Sequence, residues 1–597
     1  QAILAQGMVV RSSTHAFGLI ITAAMGCKPS ADVSKCSIAA AMSAMEARLT
    51  IVHITDVYIL DNFPHLRTLI QRKKQENPNT ISMLTGDFLA PYLLSSIDKG
   101  AAMMSMIVRT PIDILTWGNH EADIPHPEVC KRVKEFHGAG GVWVNSNMQE
   151  HEMMHLQKPY EVVKVRSRDG SHTRQVGLVA VLSDDPSLYK KFKSPGAFNG
   201  AKIECPWATL ERYKKVLEEE ERCDLVLPLQ HLYEIQDQKT CEQFDFPVVL
   251  SGHDHHLVDK EINGTRLLKP GSDGHFATVL DLSWGTASSS TPSIKWEAVK
   301  VSDFPPDKSM VSAMEASYLP LARIRNTELT PVPARFRPLS SVGSRGRVTT
   351  MGTFICSLAR EAVNASPSRQ GCDFCMIRGG HINGEKDYPA DSIFSLEDLK
   401  TVNTDEVSLG VVEVPGEVVV RGVRSTRGSV SRLFMQYDDG VTEEDGTIVR
   451  IAGAPVEPER LYRIATTPTS IRDVPTFAEY FQDRGLPGEE EFVPLDAELL
   501  GYCARAAWQR IVDLCRPGRA GEVSNVEAID LNKDGVISKE EIQSAMRRLG
   551  MRVADGEFTL VDFIVAVGDL NEDGLVDEYE VRLSGKLFPQ PLTLEPP

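Results

Sequence analysis

The chain has 597 residues, of which 42% are hydrophobic and 24% charged, and its formal net charge is −18. This length exceeds what one hydrophobic core normally serves, so several domains are expected. Apolar runs stay well short of the ~20 residues that cross a bilayer, which predicts no transmembrane span. The acidic balance argues against nucleic-acid binding through bulk electrostatics. Eleven cysteines spread thinly over the chain do not indicate a disulfide framework.

Residues 1–48 are rich in Ala, Ser and Met and carry one short apolar run behind Arg11. Such a segment is typical of a signal or transit peptide, or of a disordered extension with one apolar patch, and we exclude it from the fold. The sequence leaves the localisation open, with a cytoplasmic or organellar compartment slightly favoured over secretion.

From residue 49 the hydrophobic pattern alternates between strand-like and helix-like segments, which predicts an α/β layered domain over residues 49–304. Strands are predicted at 49–56, 80–87, 111–117, 142–145, 160–165, 175–182, 224–229, 247–250, 266–269 and 278–282. Helices are predicted at 62–77, 91–108 and 207–222.

The remaining chain divides by composition. Residues 305–340 are Pro-rich and are predicted to form an interdomain linker. Residues 341–495 form a second α/β region, and residues 496–523 are predicted as a helix followed by a linker. An acidic segment, 524–588, follows.

Polar residues end several predicted strands of the first domain, at the sheet edge where open α/β proteins bind ligands. In chain order these residues are Asp56, Asp87, Asn119, His231, His253 and His255. Oxygen and imidazole ligands suit a pair of divalent metals such as Zn, Mn or Fe. Asp87 is the expected bridging ligand, with Asp56 and His255 completing one metal. The other three would hold the second metal.

The segment 117–123 contains the expected catalytic pair, His120 and Asp123. Asp123 can orient the imidazole through its second ring nitrogen. His120 would then stabilise developing charge or protonate a leaving oxygen, while two metals lower the pKa of a bridging water and clamp a phosphoryl oxygen. The alternative is an ordinary helix start in which Asn119 is the N-cap and the acidic residues favour the helix dipole.

Together these motifs resemble the calcineurin-like metallophosphoesterases. The matching residues are Asp56, Gly86-Asp87, Gly118-Asn119-His120-Glu121, His231 and Gly252-His253-Asp254-His255. Gly86–Pro91 and Gly118–Asp123 are similar to the 5′-nucleotidase branch of that family. The resemblance implies a four-layer α/β/β/α domain that hydrolyses phosphate esters with two metals.

One position departs from the family, which usually has Asp-x-His where this chain has Asp56-Val57-Tyr58. A neutral phenol is a poor ligand, since its reference pKa is about 10. The first metal would therefore bind weakly, take a water instead, or be iron with Tyr58 as phenolate.

The second α/β region resembles the C-terminal substrate domain of 5′-nucleotidases. Ile377–Gly384 is similar to that family's Asn-Gly-Gly-Gly-Ile-Arg loop with Asn and Arg exchanged. The resulting substrate-binding set is Arg378, Gly379, Gly380 and Asn383. The glycine N–H groups could approach an anion and the arginine could grip a phosphate or carboxylate. The alternative is an ordinary strand–turn with a solvated arginine.

Family members also stack a nucleobase between two aromatic side chains. Candidates for this role in the second α/β region are Phe434, Phe477, Tyr480 and Phe481. The family's late Gly-Gly-Asp-Gly-Tyr pattern is absent, so none of the four is assigned.

Residues 524–588 contain two stretches that fit the EF-hand calcium loop and predict an all-α EF-hand pair that binds Ca²⁺. The first ligand set is Asp530, Asn532, Asp534, Val536, Ser538 and Glu541, and the second is Asp569, Asn571, Asp573, Leu575, Asp577 and Glu580. Ile537 and Val576 are expected to pair as a short two-stranded sheet. The alternative is a pair of acidic turns between solvated helices. A calcium-dependent protein partner, or docking onto the catalytic domains, would follow from exposure of an apolar groove.

The sequence thus predicts a multidomain α/β enzyme that hydrolyses a small phosphate ester, most simply a nucleotide, with two metals. A 2′,3′-cyclic-nucleotide phosphodiesterase or a nucleotide-sugar hydrolase would use the same dimetal site. An alternative of another class is a calcium-responsive binding protein whose phosphatase site has decayed, which Tyr58 and the exchanged Arg378 and Asn383 favour.

Overall fold

The computed structural model describes residues 45–189, 192, 194–285, 288, 291–323, 325, 328–366, 371–403, 407–486, 488, 491–515, 526–551, 560–569 and 575–587. The expectations for the leader up to residue 44 and for the calcium ligands Asn571 and Asp573 lie outside these residues. Within the described ranges, none of the helices combines the length and apolar character that a bilayer crossing requires.

The first domain is built from two sheets. Its strands are β1 Ala47–Ile54, β2 Thr80–Thr85, β3 Ile114–Thr116, β4 Val142–Val144, β5 Met148–Gln149, β6 Gln157–Lys158, β7 Glu161–Arg166, β8 Thr173–Leu182, β9 Lys202–Ile203, β10 Leu225–His231, β11 Val248–Ser251, β12 Leu257–Ile262, β13 Thr265–Pro270, β14 Phe276–Trp284 and β15 Ser293–Lys300. One sheet has the order β15-β14-β1-β2-β3-β4-β6, and the other has the order β12-β13-β11-β10-β8-β7. Strands β1 to β4 run parallel to one another, as do β8, β10, β11 and β13.

Helices cover the outer faces of both sheets. They are α1 Phe63–Glu76, α2 Ser95–Asp98, α3 Ala101–Arg109, α4 His126–Gly138, α5 Pro186–Tyr189, α6 Pro206–Lys215, α7 Glu234–Gln243 and α8 Lys308–Arg323. Ile51 and Met83 of one sheet share a buried core with Leu178 and Leu229 of the other, so the sheets pack face to face. The four-layer α/β/β/α arrangement expected from the sequence is present.

Two predicted helices are interrupted. The segment predicted as one helix over 91–108 forms α2 and α3, because Lys99 (φ 53°) and Gly100 (φ 81°) adopt the left-handed conformation between them. The segment predicted over 207–222 continues past α6 as a π-helical turn, Val216–Glu220.

The stretch 305–340 differs from the predicted linker because it contains α8. Met310 is buried in the core that includes α1 and α3, and Met314, Tyr318 and Leu321 pack against the same core at helical spacing. Of the prolines that suggested a linker, Pro305 and Pro306 precede this helix, and Pro331 and Pro333 follow it.

The second domain has a five-stranded sheet of order β20-β17-β24-β19-β25, with two smaller sheets beside it. The strands of the domain are β16 Glu328–Thr330, β17 Phe374–Arg378, β18 Phe394–Ser395, β19 Ser408–Pro415, β20 Met435–Tyr437, β21 Val441–Glu444, β22 Thr447–Ile451, β23 Ala454–Pro455, β24 Leu461–Thr466 and β25 Val493–Pro494. Its helices are α9 Thr350–Ala365, α10 Leu396–Val402, α11 Gly416–Ser425, α12 Pro468–Asp473, α13 Pro475–Phe481 and α14 Leu495–Asp513.

We call residues 526–551, 560–569 and 575–587 the C-terminal lobe. Its helices are α15 Lys539–Arg548, α16 Leu560–Gly568 and α17 Glu578–Leu587. Ile542, Ile564 and Val581 of the lobe belong to the same buried core as Leu500 and Ile511 of α14. The lobe is therefore packed on the second domain through α14, which the sequence had predicted only as a helix preceding a linker.

Candidate functional site

The strand ends of the two facing sheets bring the predicted metal ligands together. Asp56 follows β1, Asp87 follows β2 and Asn119 follows β3, and these three neighbouring strands are parallel. His231 ends β10, and His253 follows its parallel neighbour β11. Because parallel strands end at a common edge, both sheets deliver their polar residues to one place.

Four of these residues have an unusual backbone conformation. Asp56 (φ 53°), Asp87 (φ 56°), His253 (φ 87°) and His255 (φ 58°) all lie in the left-handed region. Few non-glycine residues adopt positive φ, and such residues persist where the surrounding structure determines them. Four of the six predicted ligands therefore adopt a conformation that is often found at functional sites.

Gly118 shows how closely two of these strand ends approach. A Cβ atom at Gly118 would lie 2.1 Å from Oδ1 of Asp87. Only glycine can occupy this position without displacing the predicted bridging carboxylate, which explains the Gly-Asn-His pattern in physical terms.

Asp87 is at the centre of the cluster. Its Oδ2 lies 2.9 Å from Nε2 of His231, and ligand atoms of these two residues and of His253 all lie within 4.8 Å of one another. Nδ1 of His231 is 2.7 Å from the carbonyl oxygen of Thr85 and donates to it. That bond directs Nε2 inward, the arrangement typical of metal-binding histidines.

Asp56 and His255 form the other half of the predicted ligand cluster. Oδ1 of Asp56 lies 3.5 Å from Nε2 of His255 and 3.9 Å from Nε2 of His231. Oδ2 of Asp56 accepts hydrogen bonds from the N–H of His253 at 2.9 Å and from Oγ1 of Thr55 at 2.6 Å. One carboxylate oxygen is therefore held by the protein, while the other points toward the imidazoles.

The environment of Asn119 favours a metal site over a helix cap. It is 2% exposed, and neither its Oδ1 nor its Nδ2 has a hydrogen-bond partner among the described residues. Its side chain does not cap the short 3-10 helix His120–Asp123 that follows it. Oδ1 of Asp56 is buried and similarly without a hydrogen bond within the described part of the chain. Buried oxygens of this kind are costly unless a ligand satisfies them, so the residues present fit a divalent metal pair.

His120 lies beside this cluster. Its Nδ1 is 2.5 Å from Oδ2 of Asp123, and both side chains are almost fully buried. Its backbone N–H donates to Oδ1 of Asp87 at 2.7 Å. Asp123 therefore lies where it can orient the imidazole.

Tyr58 occupies the position of the family histidine. Its hydroxyl is 3.1 Å from Nε2 of His255 and 3.4 Å from Oδ2 of Asp87. Burial, with the nearby carboxylates of Asp87 and Asp56, raises the pKa of the phenol well above its ordinary value. In this structure Tyr58 is a neutral hydrogen-bonding group among the predicted ligands.

Glu121 has a role that the sequence did not predict, since the sequence indicated it only as part of the family motif and as an acid favouring a helix dipole. Its buried carboxylate accepts hydrogen bonds from the N–H groups of Asp87 (3.0 Å), Gly118 (2.7 Å), Phe88 (2.8 Å) and Leu89 (3.2 Å). Burial and the Asp87 carboxylate raise the pKa of Glu121 to about 7. Glu121 thus ties the loops after β2 and β3 together, and its place in the Gly-Asn-His-Glu motif was the available signal.

A buried lysine does the same for the facing sheet. Nζ of Lys269 donates to the carbonyl oxygens of Leu232 and Gly252, each at 2.8 Å, and lies 2.7 Å from Asp237. Leu232 follows His231, and Gly252 precedes His253. Lys269 lies within β13, and nothing in the local sequence pattern indicates this role.

The site opens into a cleft of about 390 Å³ between the two domains. The first domain contributes Tyr58, Pro91, His120 and His255 to its lining, and the second contributes His381, Val407, Ser408, Thr467, Pro468, Thr469, Arg472, Phe492 and Pro494. A phosphate ester held at the metal ligands would therefore extend toward the second domain.

The predicted substrate loop has a different arrangement from the one expected. The N–H groups of Gly379 and Gly380 donate to the carbonyl oxygens of Phe434 (2.6 Å) and Arg432 (3.0 Å). A Cβ atom at Gly379 would lie 2.0 Å from the carbonyl oxygen of Ser344. The glycines therefore serve close backbone packing, and their N–H groups are already paired rather than directed at an anion.

The polar side chains of that loop are also engaged internally. Arg378 donates through Nε to His381 at 2.7 Å and is ion-paired with Asp473. Oδ1 of Asn383 accepts from Arg345 at 3.4 Å. Arg472, which the sequence did not single out, lines the cleft instead.

The four aromatic candidates for base stacking do not line this cleft. Phe434 and Phe477 are buried, and Tyr480 and Phe481 form an edge-to-face pair with ring centroids 5.0 Å apart. Phe492 is the described aromatic residue that the second domain contributes to the cleft lining. Its position depends on the pairing of β25 with β19, a long-range contact absent from the local sequence.

The first predicted calcium loop lies wholly within the described residues. Asp530 accepts from the N–H groups of Lys533 (2.6 Å) and Gly535 (3.0 Å), and Gly535 has φ 85°. Glu541 accepts from the N–H groups of Leu531 (2.7 Å) and Asn532 (3.1 Å). The two carboxylates thus fold back onto the same loop.

The two predicted calcium loops are joined by backbone pairing. The N–H of Ile537 donates to the carbonyl oxygen of Val576 at 2.7 Å, and Val536 and Asp577 form an antiparallel bridge. The short two-stranded pairing expected between Ile537 and Val576 is confirmed.

Comparison with protein families identifies the first domain. A family model described as calcineurin-like phosphoesterase matches residues 49–257. This stretch is a calcineurin-like phosphoesterase domain. Within it lie all six predicted metal ligands together with His120 and Asp123. The phosphoesterase resemblance drawn from the sequence is confirmed at the level of this domain.

Among curated proteins, the chain is similar to an apyrase of Tabanus yao, at 25% identity over 239 residues. The match covers 36% of this chain and 40% of that apyrase, so the chain spans well under half of this relative's length.

Among solved structures, the chain is similar to the NAD nucleotidase of Haemophilus influenzae, with a TM-score of 0.57 at 13% identity. That match covers 77% of this chain and 96% of the nucleotidase. A 5′-nucleotidase precursor from Thermus thermophilus also matches, with a TM-score of 0.47 at 17% identity over 76% of this chain and 96% of its own. Because the first match covers so much of this chain, the shared fold extends beyond the phosphoesterase domain into the second α/β domain.

Proposed function

We propose that this protein is a dimetal-dependent phosphohydrolase of the 5′-nucleotidase type, acting on a nucleotide or a related small phosphate ester. The observation that carries the proposal is the buried cluster at the strand ends, in which Oδ1 of Asp56 and the side chain of Asn119 lack hydrogen bonds among the described residues. The names of the similar proteins support a nucleotide as substrate.

In this proposal, Asp87 would be shared between two metals, Asp56 and His255 would hold the first, and Asn119, His231 and His253 would hold the second. When bound, the metals supply Lewis acidity for the phosphoryl group and lower the pKa of an attacking water.

The chain's own residues position these groups and move the proton. Asp123 keeps the Nδ1 proton of His120 engaged, which leaves Nε2 as the atom that stabilises or protonates the leaving oxygen. Glu121 and Lys269 hold the loops that carry the ligands. Arg472 and Phe492 meet the part of the substrate that extends across the cleft.

A phosphate-release screen tests the proposal. Metal-depleted protein receives Mn, Zn or Fe and is assayed with 5′-nucleotides, 2′,3′-cyclic nucleotides and nucleotide sugars. We expect release from at least one class, with 5′-nucleotides preferred. Preference for a cyclic nucleotide or a nucleotide sugar would reassign the substrate within the same chemistry. A folded protein that binds no transition metal and releases no phosphate would favour the binding-protein alternative.

We also propose that the C-terminal lobe binds two Ca²⁺ ions, at 530–541 and 569–580. The back-folded carboxylates of the first loop and the backbone pairing between the loops support this assignment. The first loop offers three acids, Asp530, Asp534 and Glu541, and the second offers four, Asp569, Asp573, Asp577 and Glu580. Affinity rises with ligand charge, so the second loop should bind first, within the sensor range of roughly 10⁻⁷–10⁻⁵ M.

Calorimetry on the full chain tests the order of filling, because the lobe shares its core with α14. Glu580→Gln should remove the tighter site and Glu541→Gln the weaker one. The opposite assignment would show that charge count does not decide affinity here, and the absence of any calcium heat in the wild type would reject the EF-hand assignment.

A further inference from the structure

A cluster outside the dimetal site has the composition and spacing of a metal centre. His126 begins α4, Cys130 lies one turn later on the same helix face, and Glu152 comes from the loop after β5. Their ligand atoms all lie within 4.8 Å of one another. Nothing in the proposed hydrolysis uses these three residues.

Two of the three donor-atom separations fall in the range that a tetrahedral ion imposes, and the third is slightly longer. Nε2 of His126 lies 3.4 Å from Sγ of Cys130 and 3.3 Å from Oε2 of Glu152, and Sγ lies 3.8 Å from the same Oε2. Zinc bonds of about 2.0–2.3 Å in tetrahedral geometry hold donor atoms roughly 3.3–3.6 Å apart. We propose that His126, Cys130 and Glu152 form a third transition-metal site, with zinc as the best-suited ion.

A tetrahedral ion here would have a fourth coordination position, which a water molecule would take. The neighbouring His151 does not fill it, because its Nδ1 accepts a hydrogen bond from the N–H of Met153 at 3.1 Å, so Nε2 carries the proton. The Glu152 side chain is 60% exposed, and that of His126 is 15% exposed. On binding, Cys130 loses its thiol proton to solvent and the ion takes the thiolate.

The site's position suggests that it braces the catalytic segment. His151, next to Glu152, packs on Trp117 with ring centroids 4.9 Å apart, and Trp117 directly precedes Gly118 and Asn119. A metal joining α4 to this loop would fix the chain on both sides of the segment 118–125.

Cobalt substitution tests the third site, because a thiolate ligand gives Co²⁺ a near-ultraviolet charge-transfer band that imidazole and carboxylate ligands do not give. We expect the band in the wild type and in Asp87→Ala, which lacks the dimetal bridge. Cys130→Ser should abolish it, and the matched control Cys205→Ser, at an exposed cysteine, should retain it.

Glu152→Gln guards against misfolding, since its side chain is largely exposed. It should weaken cobalt binding, followed through the charge-transfer band, by at least about tenfold, because loss of even an outer-shell partner commonly costs that much metal affinity. If the band is absent when cobalt saturates the dimetal site, or persists in Cys130→Ser, the proposal is overturned. His126, Cys130 and Glu152 would then form only a hydrogen-bonded cluster.

A second, independent observation concerns α14, which connects the C-terminal lobe to the cleft. This 19-residue helix spans about 28 Å. It starts directly after Pro494, which lines the cleft with Phe492. Its other end lies in the lobe, where Trp508 is fully buried and donates through Nε1 to Oγ of Ser584 at 3.0 Å.

The packing of Trp508 is close on a second side as well. A Cβ atom at Gly568 of α16 would lie 2.9 Å from the Trp508 ring. Both α14 and α16 also contact α2 of the phosphoesterase domain. An apolar helix seated among helices of an EF-hand pair is the usual form of target binding by calcium sensors.

From these contacts we infer that α14 is the lobe's own target helix, and that calcium occupancy is transmitted along it to the cleft wall. The inference rests on the proposed calcium binding, and it requires no phosphohydrolase activity.

Hydrogen exchange on the full chain, with and without Ca²⁺, is the test. We expect calcium to slow exchange in 495–513 and in the cleft strands at 408–415 and 493–494. Ser584→Ala removes only the hydrogen bond to Trp508, so it should bind calcium but transmit less protection to α14. Thr442→Ala, at an exposed position of β21, serves as the matched control.

Calorimetry on the same samples separates the possible failures. If calcium does not bind, the calcium assignment and this inference fall together. If calcium binds and exchange in 495–513 is unchanged, the inference alone is overturned. Neither result bears on phosphate release, which the substrate screen measures separately.

Discussion

The two walls of the cleft are built on opposite principles. On the phosphoesterase wall, Asp56 and Asn119 keep buried polar atoms without hydrogen bonds among the described residues. On the other wall, the loop expected to bind substrate is already paired within the second domain, with Arg378 held by Asp473 of α12 and by His381. The first wall is shaped for an ion that completes it. Under the proposed function, chemistry would lie on the first wall, and substrate selectivity would depend on the side chains that line the second.

Removing the shared ligand of the first wall should have the largest effect. Asp87→Ala should reduce phosphate release to background and lower the metal content, because its two oxygens contact His120 and His231 from the centre of the cluster. Phosphate assays and metal analysis measure both. The matched control is Asp245→Ala, at a side chain that is 86% exposed. Near-normal turnover by Asp87→Ala would place the chemistry elsewhere.

His120→Ala should cost ~10²–10⁴-fold in kcat, as expected for an acid–base residue. The metal content should be retained, since His120 is oriented by Asp123 rather than aimed at the ligand cluster. The exposed His137 of α4 provides a matched His→Ala control. Loss of metal in parallel with activity would make His120 a ligand instead.

The second wall is tested by a pair of arginine variants. Arg472→Ala should raise KM by about 10- to 150-fold, because a charged hydrogen bond to substrate contributes about 1.5–3 kcal/mol and Arg472 lines the cleft. Arg378→Ala should leave KM unchanged and lower the melting temperature, because Asp473 and His381 lose their partner. A raised KM for Arg378→Ala alone would restore the substrate loop predicted from the sequence.

The smallest effect is expected at Tyr58. Tyr58→His should raise activity a few-fold at limiting metal and leave it unchanged at saturation, because an imidazole would replace a neutral phenol 3.1 Å from His255. Tyr58→Phe controls for loss of the hydroxyl. A visible tyrosinate-to-iron band in the wild type, lost in Tyr58→His, would instead make Tyr58 a ligand and complete the first wall.

Much of the first wall could be predicted because its residues sit at strand ends that the hydrophobic pattern marks, as with Asp56 after β1 and Asp87 after β2. The residues that support these ligands could not be predicted, because they come from other parts of the chain. Lys269, for example, donates to Gly252 from a different strand. The same holds for α8 and α14. Their apolar spacing predicts a helix at most, while the surfaces they cover are set by contacts far apart in sequence.

The left-handed backbone at Asp56, Asp87, His253 and His255 restricts which mutations the fold will accept. Asn, Asp, His and Gly tolerate this conformation better than other residues, and β-branched residues tolerate it least. Most substitutions at these four positions would therefore impair folding before their effect on catalysis could matter. A chain that lost activity by replacement with Asn or Gly could persist as a stable binding protein. Variants with Val or Ile at these positions would be lost earlier, because they would fold poorly and express poorly.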